Sequence, residues 1–104
     1  MEQTTLSYET INKEIEFCED IIAQLDNELA ELKIKEKNLT ERLDVYRELK
    51  NRIPTGTAKE IVQHNMGILA DQRLELIPKI SNKITNIDSY QKVIESLQEL
   101  RKEI

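Results

Sequence analysis

The segment Pro54-Thr55-Gly56-Thr57 decides the fold, because it is the strongest turn signal in the chain and lies between two long helix-forming stretches. Pro54 pushes the residue before it out of the α region, so the first helix should end near residue 53. Thr57 and Glu60 have the spacing of a capping box, which predicts a second helix with Thr57 as its N-cap. We therefore predict a turn at residues 54–57 with one helix on each side.

The sequence before the turn carries a heptad repeat. In steps of three and four, apolar or aromatic residues fill eleven of thirteen positions, the exceptions being Glu36 and Lys50. The thirteen positions are Tyr8, Ile11, Ile15, Cys18, Ile22, Leu25, Leu29, Leu32, Glu36, Leu39, Leu43, Tyr46 and Lys50. This spacing keeps one apolar seam on one side of a helix and is typical of coiled-coil packing. Ser7 is placed to cap the start of this helix.

The sequence after the turn carries a matching seam. If the chain folds back at Gly56, facing residues have numbers that add to about 112, and ten of the thirteen predicted partners are apolar or aromatic. Those partners are Ile104, Arg101, Leu97, Ile94, Tyr90, Ile87, Lys83, Ile80, Leu76, Arg73, Leu69, Met66 and Val62. The prediction is an all-α, coiled-coil-like antiparallel hairpin, a single unit over residues 1–104 with helices at about 7–53 and 58–104.

Pro78 is the one interruption of the second helix. It predicts a kink or a break, and the following residues 81–86 have poor helix propensity. A break would give three helices in place of two. A kink would also allow Ile84 to replace Lys83 in the seam.

Ten apolar residues lie off the seam and would remain exposed to solvent in a two-helix hairpin. In the first helix they are Phe17, Ile21, Ile34, Val45 and Leu49, and in the second Ile61, Ile68, Ile77, Val93 and Leu100. Scattered exposed aliphatics are normal, and some of these residues would only widen the seam. Contiguous apolar surface of this extent nevertheless favours a protein partner or self-association into a larger helical bundle. The first-helix set is our candidate partner-binding site.

Charge, hydropathy and cysteine content indicate which partners and which cellular compartment to expect. The net charge is −5, and the basic residues between 33 and 52 alternate with acids, so nucleic-acid binding is not expected. No apolar run is long enough to predict a membrane span, and the N-terminal residues Met1 to Thr5 do not resemble a signal peptide. The single cysteine fits a reducing compartment. We therefore expect a cytoplasmic protein.

Enzyme motifs are missing, and no cofactor is predicted. The two glycines are isolated, so there is no phosphate-binding loop, and the lone His64 is expected on the surface. Cys18 falls in the seam beside acidic residues that oppose thiolate formation. Carboxylates at residues 16, 19 and 20 share a short helical segment, but a single helix face is a poor cage for a cation, and no metal site is predicted.

The sequence therefore predicts a non-enzymatic interaction module, such as an adaptor, an assembly factor or an export chaperone or targeting partner. The predicted architecture is similar to that of small helical-hairpin secretion chaperones, although the chain lacks the Trp-x-Gly found at the tip in one such group. The alternative is an acidic regulatory inhibitor, of the kind that phages encode, which occludes a basic protein surface. Binding through apolar residues should survive high salt, whereas acidic mimicry should not.

Of the charged residues in the predicted seam, two with opposite charge lie close together. Glu36 and Arg73 occupy adjacent layers from opposite helices, and each would be costly to bury alone. We predict a Glu36–Arg73 ion pair that penalises a register slipped by one heptad. The competing interpretation is that both side chains turn to water and do not interact.

Overall fold

A computed structural model describes residues 6–104 and shows two long helices packed as a hairpin. Helix α1 spans Tyr8–Arg52 and helix α2 spans Thr57–Lys102, in agreement with the predicted ranges to within one or two residues at each end. The predicted all-α helical hairpin is confirmed. No apolar stretch of either helix, within residues 6–104, is long enough to cross a membrane.

The start of α1 is capped by Ser7, as predicted. The Ser7 carbonyl accepts the first backbone bond of the helix from Ile11 at 3.1 Å, and its hydroxyl accepts the Thr10 amide at 3.0 Å. The hydroxyl therefore satisfies one of the amides that every helix N-terminus leaves without a partner.

The start of α2 lies one residue earlier than predicted. The Glu60 amide donates to the Gly56 carbonyl at 3.2 Å, so Gly56 occupies the N-cap position and Thr57 is the first helical residue. Gly56 has a φ of 92°, a conformation that costs glycine little and a residue with a Cβ much more. The assignment of Thr57 as the N-cap was therefore wrong by one residue. Gly56 is both a turn residue and the residue whose carbonyl accepts the first hydrogen bond of α2.

Helix α2 runs through Pro78 without interruption. The three-helix alternative is therefore excluded, while the predicted kink stays a prediction. Pro78 is exposed, whereas Leu76 before it is buried and Ile80 after it is half-buried. Packing on both sides of the proline holds the helix together despite the missing amide.

The chain divides into two compact units, each containing part of both helices. We call residues 6–29 with 83–104 the terminal unit, and residues 30–82 the turn unit. The terminal unit buries Ile11, Ile15, Cys18 and Ile87, and the turn unit buries Leu43, Val62, Leu69 and Leu76. All eight belong to the predicted seam, so the seam is the core of each unit.

Polar pairs across the helices show the register in each unit. In the terminal unit Arg101 donates to Asn12 Oδ1 at 2.8 Å, and Lys83 pairs with Glu28. In the turn unit Arg73 pairs with Glu36, and Asn65 donates to the Tyr46 hydroxyl at 3.4 Å. The paired residue numbers add to between 109 and 113, in agreement with the predicted value of 112.

Lys83 keeps its place in the seam. Its ammonium group reaches Glu28, and its side chain is 30% exposed, whereas Ile84 is 42% exposed. The suggestion that Ile84 replaces Lys83 was therefore wrong. The lysine stays because its aliphatic stem packs along the seam while its charged end finds a carboxylate at the edge.

Candidate protein-binding surface

The seam divides the surface of each unit into two flanks. In heptad notation the seam positions are a and d, with Ile15 and Leu43 at position a in α1 and Arg73 and Ile87 at position a in α2. Positions g and c lie on one side of the seam and form the g flank, and positions e and b lie on the other and form the e flank. Because the helices are antiparallel, equivalent positions of the two helices lie on the same side of the hairpin.

Two open grooves in the turn unit show this arrangement directly. On the g flank a groove of about 340 Å³ is lined by Lys35, Asn38, Leu39, Arg42, Gln72, Glu75 and Leu76. On the e flank a groove of about 310 Å³ is lined by Leu43, Arg47, Ala70, Arg73, Leu74 and Ile77. Each groove is built by both helices, so a ligand seated in either one would touch α1 and α2 together.

The terminal unit carries an apolar surface on its g flank. Phe17 is 59% exposed and Val93 46% exposed, while Ile21 and Leu100 are half-buried beside the seam. Phe17 and Ile21 are one helical turn apart on α1, and Val93 and Leu100 are two turns apart on α2. We call these four residues the terminal surface.

An open groove of about 310 Å³ adjoins the terminal surface. It is lined by Lys92, Val93, Ser96, Leu97 and Leu100. Hydrophobic grooves are where amphipathic partner helices commonly bind, and the exposed Phe17 ring adds further apolar surface on the same flank.

The turn unit carries a second apolar surface on its own g flank. Val45 is 59% exposed, Leu49 36%, Ile61 56% and Ile68 44%. Val45 and Leu49 are one turn apart on α1, and Ile61 and Ile68 are two turns apart on α2. In the register of the hairpin, Val45 lies level with Ile68 and Leu49 with Ile61. We call these four residues the turn surface.

The five residues predicted as one binding site are therefore divided between two surfaces. Phe17 and Ile21 belong to the terminal surface, and Val45 and Leu49 belong to the turn surface. Ile34, at 60% exposure, occupies the outward-facing f position of α1 in the turn unit and joins neither. The spacing of residues on one helix does not predict this division, because each surface is completed by residues of the other helix.

Leu74 was missed by the sequence analysis. At 63% it is the most exposed large apolar side chain among residues 6–104, and it lies on the e flank beside Ile77. Leu74 lies directly after the seam residue Arg73 and does not belong to the heptad seam. Its spacing of four residues from Ala70 and three from Ile77 nevertheless indicates a second apolar stripe on α2.

The reactive residue types of the chain lie apart from one another. Cys18 is buried in the seam and His64 is exposed on α2 of the turn unit. Within the described part of the chain, no three His, Cys, Asp or Glu side chains are grouped so as to hold a metal ion. The prominent feature of the described residues is therefore their exposed apolar surface.

One carboxyl group in the terminal unit has a shifted pKa. The hydrogen bond from Lys83 holds the pKa of Glu28 below its ordinary value, aided by the lysine charge and opposed by partial desolvation. The pair lies at the edge of the seam, with the Lys83 side chain 30% and the Glu28 side chain 38% exposed, and it links α1 to α2.

The predicted pair in the turn unit is formed as well. Arg73 Nε lies 3.1 Å from Glu36 Oε1, and the two side chains are 38% and 31% exposed. The Thr40 hydroxyl lies 3.3 Å from the same carboxylate oxygen. The proposed role of the pair in setting the register stays a prediction.

Comparison with known proteins gives no family to which the chain can be assigned. It matches no protein-family model, no curated protein and no solved structure.

Proposed function

We propose that this chain is a non-enzymatic protein-interaction module that binds a helix of a protein partner on its terminal surface. The observation that carries the proposal is the exposed Phe17 ring, set beside Ile21 on α1 and level with Val93 on α2. Phe17 is the only phenylalanine in the chain, and covering its exposed part contributes up to about 1.5–3 kcal/mol to binding. Adaptors, assembly factors and export chaperones are the functional classes that use such a surface.

The mode of binding follows from the spacing of the apolar side chains. An amphipathic partner helix presents side chains at i, i+3 or i+4 and i+7, and these fit between the Phe17–Ile21 pair and the Val93–Leu100 pair. The groove beside Leu97 would receive one of them. Binding would convert the two-helix terminal unit locally into a three- or four-helix arrangement.

Site-specific photo-crosslinking tests this function. We expect a photoreactive phenylalanine analogue at position 17 to form covalent adducts with another protein chain in cells that express the protein. The matched control is the same analogue in place of Gln98, which is exposed on the e flank of the same unit. Equal adduct yields at the two positions, or no adduct at position 17, would count against the proposal.

One observation favours a second candidate, the acidic regulatory inhibitor. The terminal unit has eleven carboxylates and five basic side chains between residues 6–29 and 83–104, a net charge of −6. A surface of that charge would occlude a basic surface on a target protein. At about 1 M salt, where screening acts within roughly 3 Å, such binding is lost, whereas apolar docking on the terminal surface persists.

A further inference from the structure

We propose that the helical partner on the terminal surface is presented by a second copy of this chain, which docks through its turn surface. This inference rests on the proposed function and identifies the partner at the same site. It makes the contact heterologous, because two different surfaces of the same chain meet.

The two surfaces are built from the same number of apolar residues at the same sequence spacing. Each has a pair of apolar residues one turn apart on α1, namely Phe17 with Ile21 and Val45 with Leu49. Each also has a pair two turns apart on α2. These are Val93 with Leu100 in the terminal surface and Ile61 with Ile68 in the turn surface. When two apolar patches of similar spacing dock, each covers apolar side chains of the other that would otherwise stay in water.

The flanks that carry the two surfaces differ in charge. The g and c positions of the terminal unit carry three acids and no base, namely Glu14, Glu28 and Glu103. The same positions of the turn unit carry four bases and two acids, namely Lys35, Arg42, Arg52, Lys79, Glu31 and Glu75. An acidic flank therefore meets a predominantly basic flank when the terminal surface of one copy docks on the turn surface of another.

The same charges disfavour pairing of like surfaces. Two terminal surfaces face to face would bring six carboxylates together, and among the described residues only the two Glu28 groups are paired with a lysine, Lys83, of their own chain. Over the whole units the contrast is the same, since the turn unit has ten basic and eight acidic side chains, a net charge of +2 against −6. Like-charge juxtaposition of two flanks selects against the wrong pairing, so the charges choose terminal surface to turn surface.

A mixing experiment with two double variants tests the pairing. The first, Phe17→Gln with Val93→Gln, disables the terminal surface, and the second, Val45→Gln with Ile68→Gln, disables the turn surface. The replaced residues are 59% and 46% exposed in the first variant and 59% and 44% in the second, so neither variant removes core packing. We expect the wild type to self-associate in sedimentation velocity and each variant alone to dissociate with a dissociation constant raised at least about tenfold.

Mixing the two variants in equal amounts should restore association. The first variant keeps an intact turn surface and the second an intact terminal surface, so one complete contact forms between them. Leu74→Gln with Ile77→Gln is the matched control, because it removes apolar residues 63% and 51% exposed on the e flank and should associate like the wild type. Circular dichroism establishes that each variant remains helical.

The outcomes separate this inference from the proposed function. A monomeric wild type, a single variant that still associates like the wild type, or a mixture that fails to associate would each overturn the pairing. A monomeric wild type that nevertheless crosslinks from position 17 to a different protein would leave the proposed function standing. Self-association without any crosslink from position 17 would instead remove the terminal surface from both.

Discussion

At the scale of single residues, the ion pair between Glu36 and Arg73 places a charge of each sign at two seam positions whose neighbours in the seam are mostly apolar. Each side chain keeps about a third of its surface in water, so the pair is only partly desolvated. A register slipped by one heptad would separate the two groups and leave each beside aliphatic side chains. The pair is therefore expected to select the register more than to add to overall stability.

A double-mutant cycle measures this coupling. Replacing Glu36 or Arg73 alone with Leu leaves one charge beside the seam without its partner, whereas replacing both does not. We expect a coupling free energy of about 1 kcal/mol in urea unfolding, since partial exposure weakens the pair. The control is the Asp44–Arg47 pair, which has a similar distance of 3.0 Å but is 63% and 58% exposed, and should couple by less than about 0.5 kcal/mol. Equal coupling in the two cycles would contradict a special role for the seam pair.

Glu28 gives the hairpin a dependence on pH. The hydrogen bond from Lys83 lowers the pKa of this carboxyl in the folded protein, so in acid the unfolded chain binds the proton more readily. The resulting stabilisation is complete above the ordinary pKa of 4.5 and is lost as the pH falls through the lowered folded value.

Replacing Glu28 with Gln tests this dependence. The wild type should be the more stable protein at pH 7, and the difference in urea midpoint should shrink steadily below about pH 4.5. Glu41→Gln, at an exposed position of α1, controls for the loss of one negative charge. A difference between wild type and Glu28→Gln that stays constant down to pH 3 would show that the carboxylate charge contributes nothing.

At the scale of elements, α2 continues through a proline that the sequence alone left open as a kink or a break. Pro78 supplies no amide for the carbonyl of Leu74, four residues earlier, and its ring crowds that carbonyl. Leu76 and Ile80, packed in the seam on either side, outweigh this local cost.

The two prolines should respond to the same substitution with opposite signs. Pro78→Ala restores a helix hydrogen bond and should raise the free energy of unfolding, by up to about 3 kcal/mol. Pro54→Ala loosens the unfolded chain at the turn and should lower it by about 0.4–1 kcal/mol. Thermal and urea unfolding of both variants measure the effects. If Pro78→Ala gave no gain, the proline would be as well suited to this helix as alanine.

The sequence predicted the helices and their register because the seam repeats over many heptads, and repetition outweighs local irregularities such as Pro78. It placed the N-cap of α2 one residue too late, since Gly56 lies both in the turn and at the N-cap position. The division of the candidate site was also not predictable. A helical period orders residues such as Phe17 and Val45 along one helix but does not show which residues of the other helix complete each surface. Nor does any local pattern name the partner.

At the scale of the whole molecule, each unit is stabilised by a small core that consists only of seam residues. Four side chains are buried in each unit, all from the seam, and among the residues described none is polar. Each layer of the seam gains its stability from the layers next to it, as in repeat proteins. Local opening of part of the seam is therefore expected to cost less than global unfolding.

The cross-helix pairs also determine an order of folding. The pairs of the turn unit join residues 19 and 37 positions apart, and those of the terminal unit join residues 55 and 89 positions apart. Closing the longest of these loops from the open chain costs about 1.4 kcal/mol more than closing the shortest. We therefore expect contacts near Gly56 to form first and the helices to pair progressively from the turn towards their other ends.

In hydrogen exchange, amides of residues 11–22 and 87–101 should exchange through partial openings that leave the helical amides of residues 43–52 and 60–69 protected. Mass spectrometry of the native protein at low denaturant measures this directly. Uniform exchange across both units would mean that the molecule opens only as a whole.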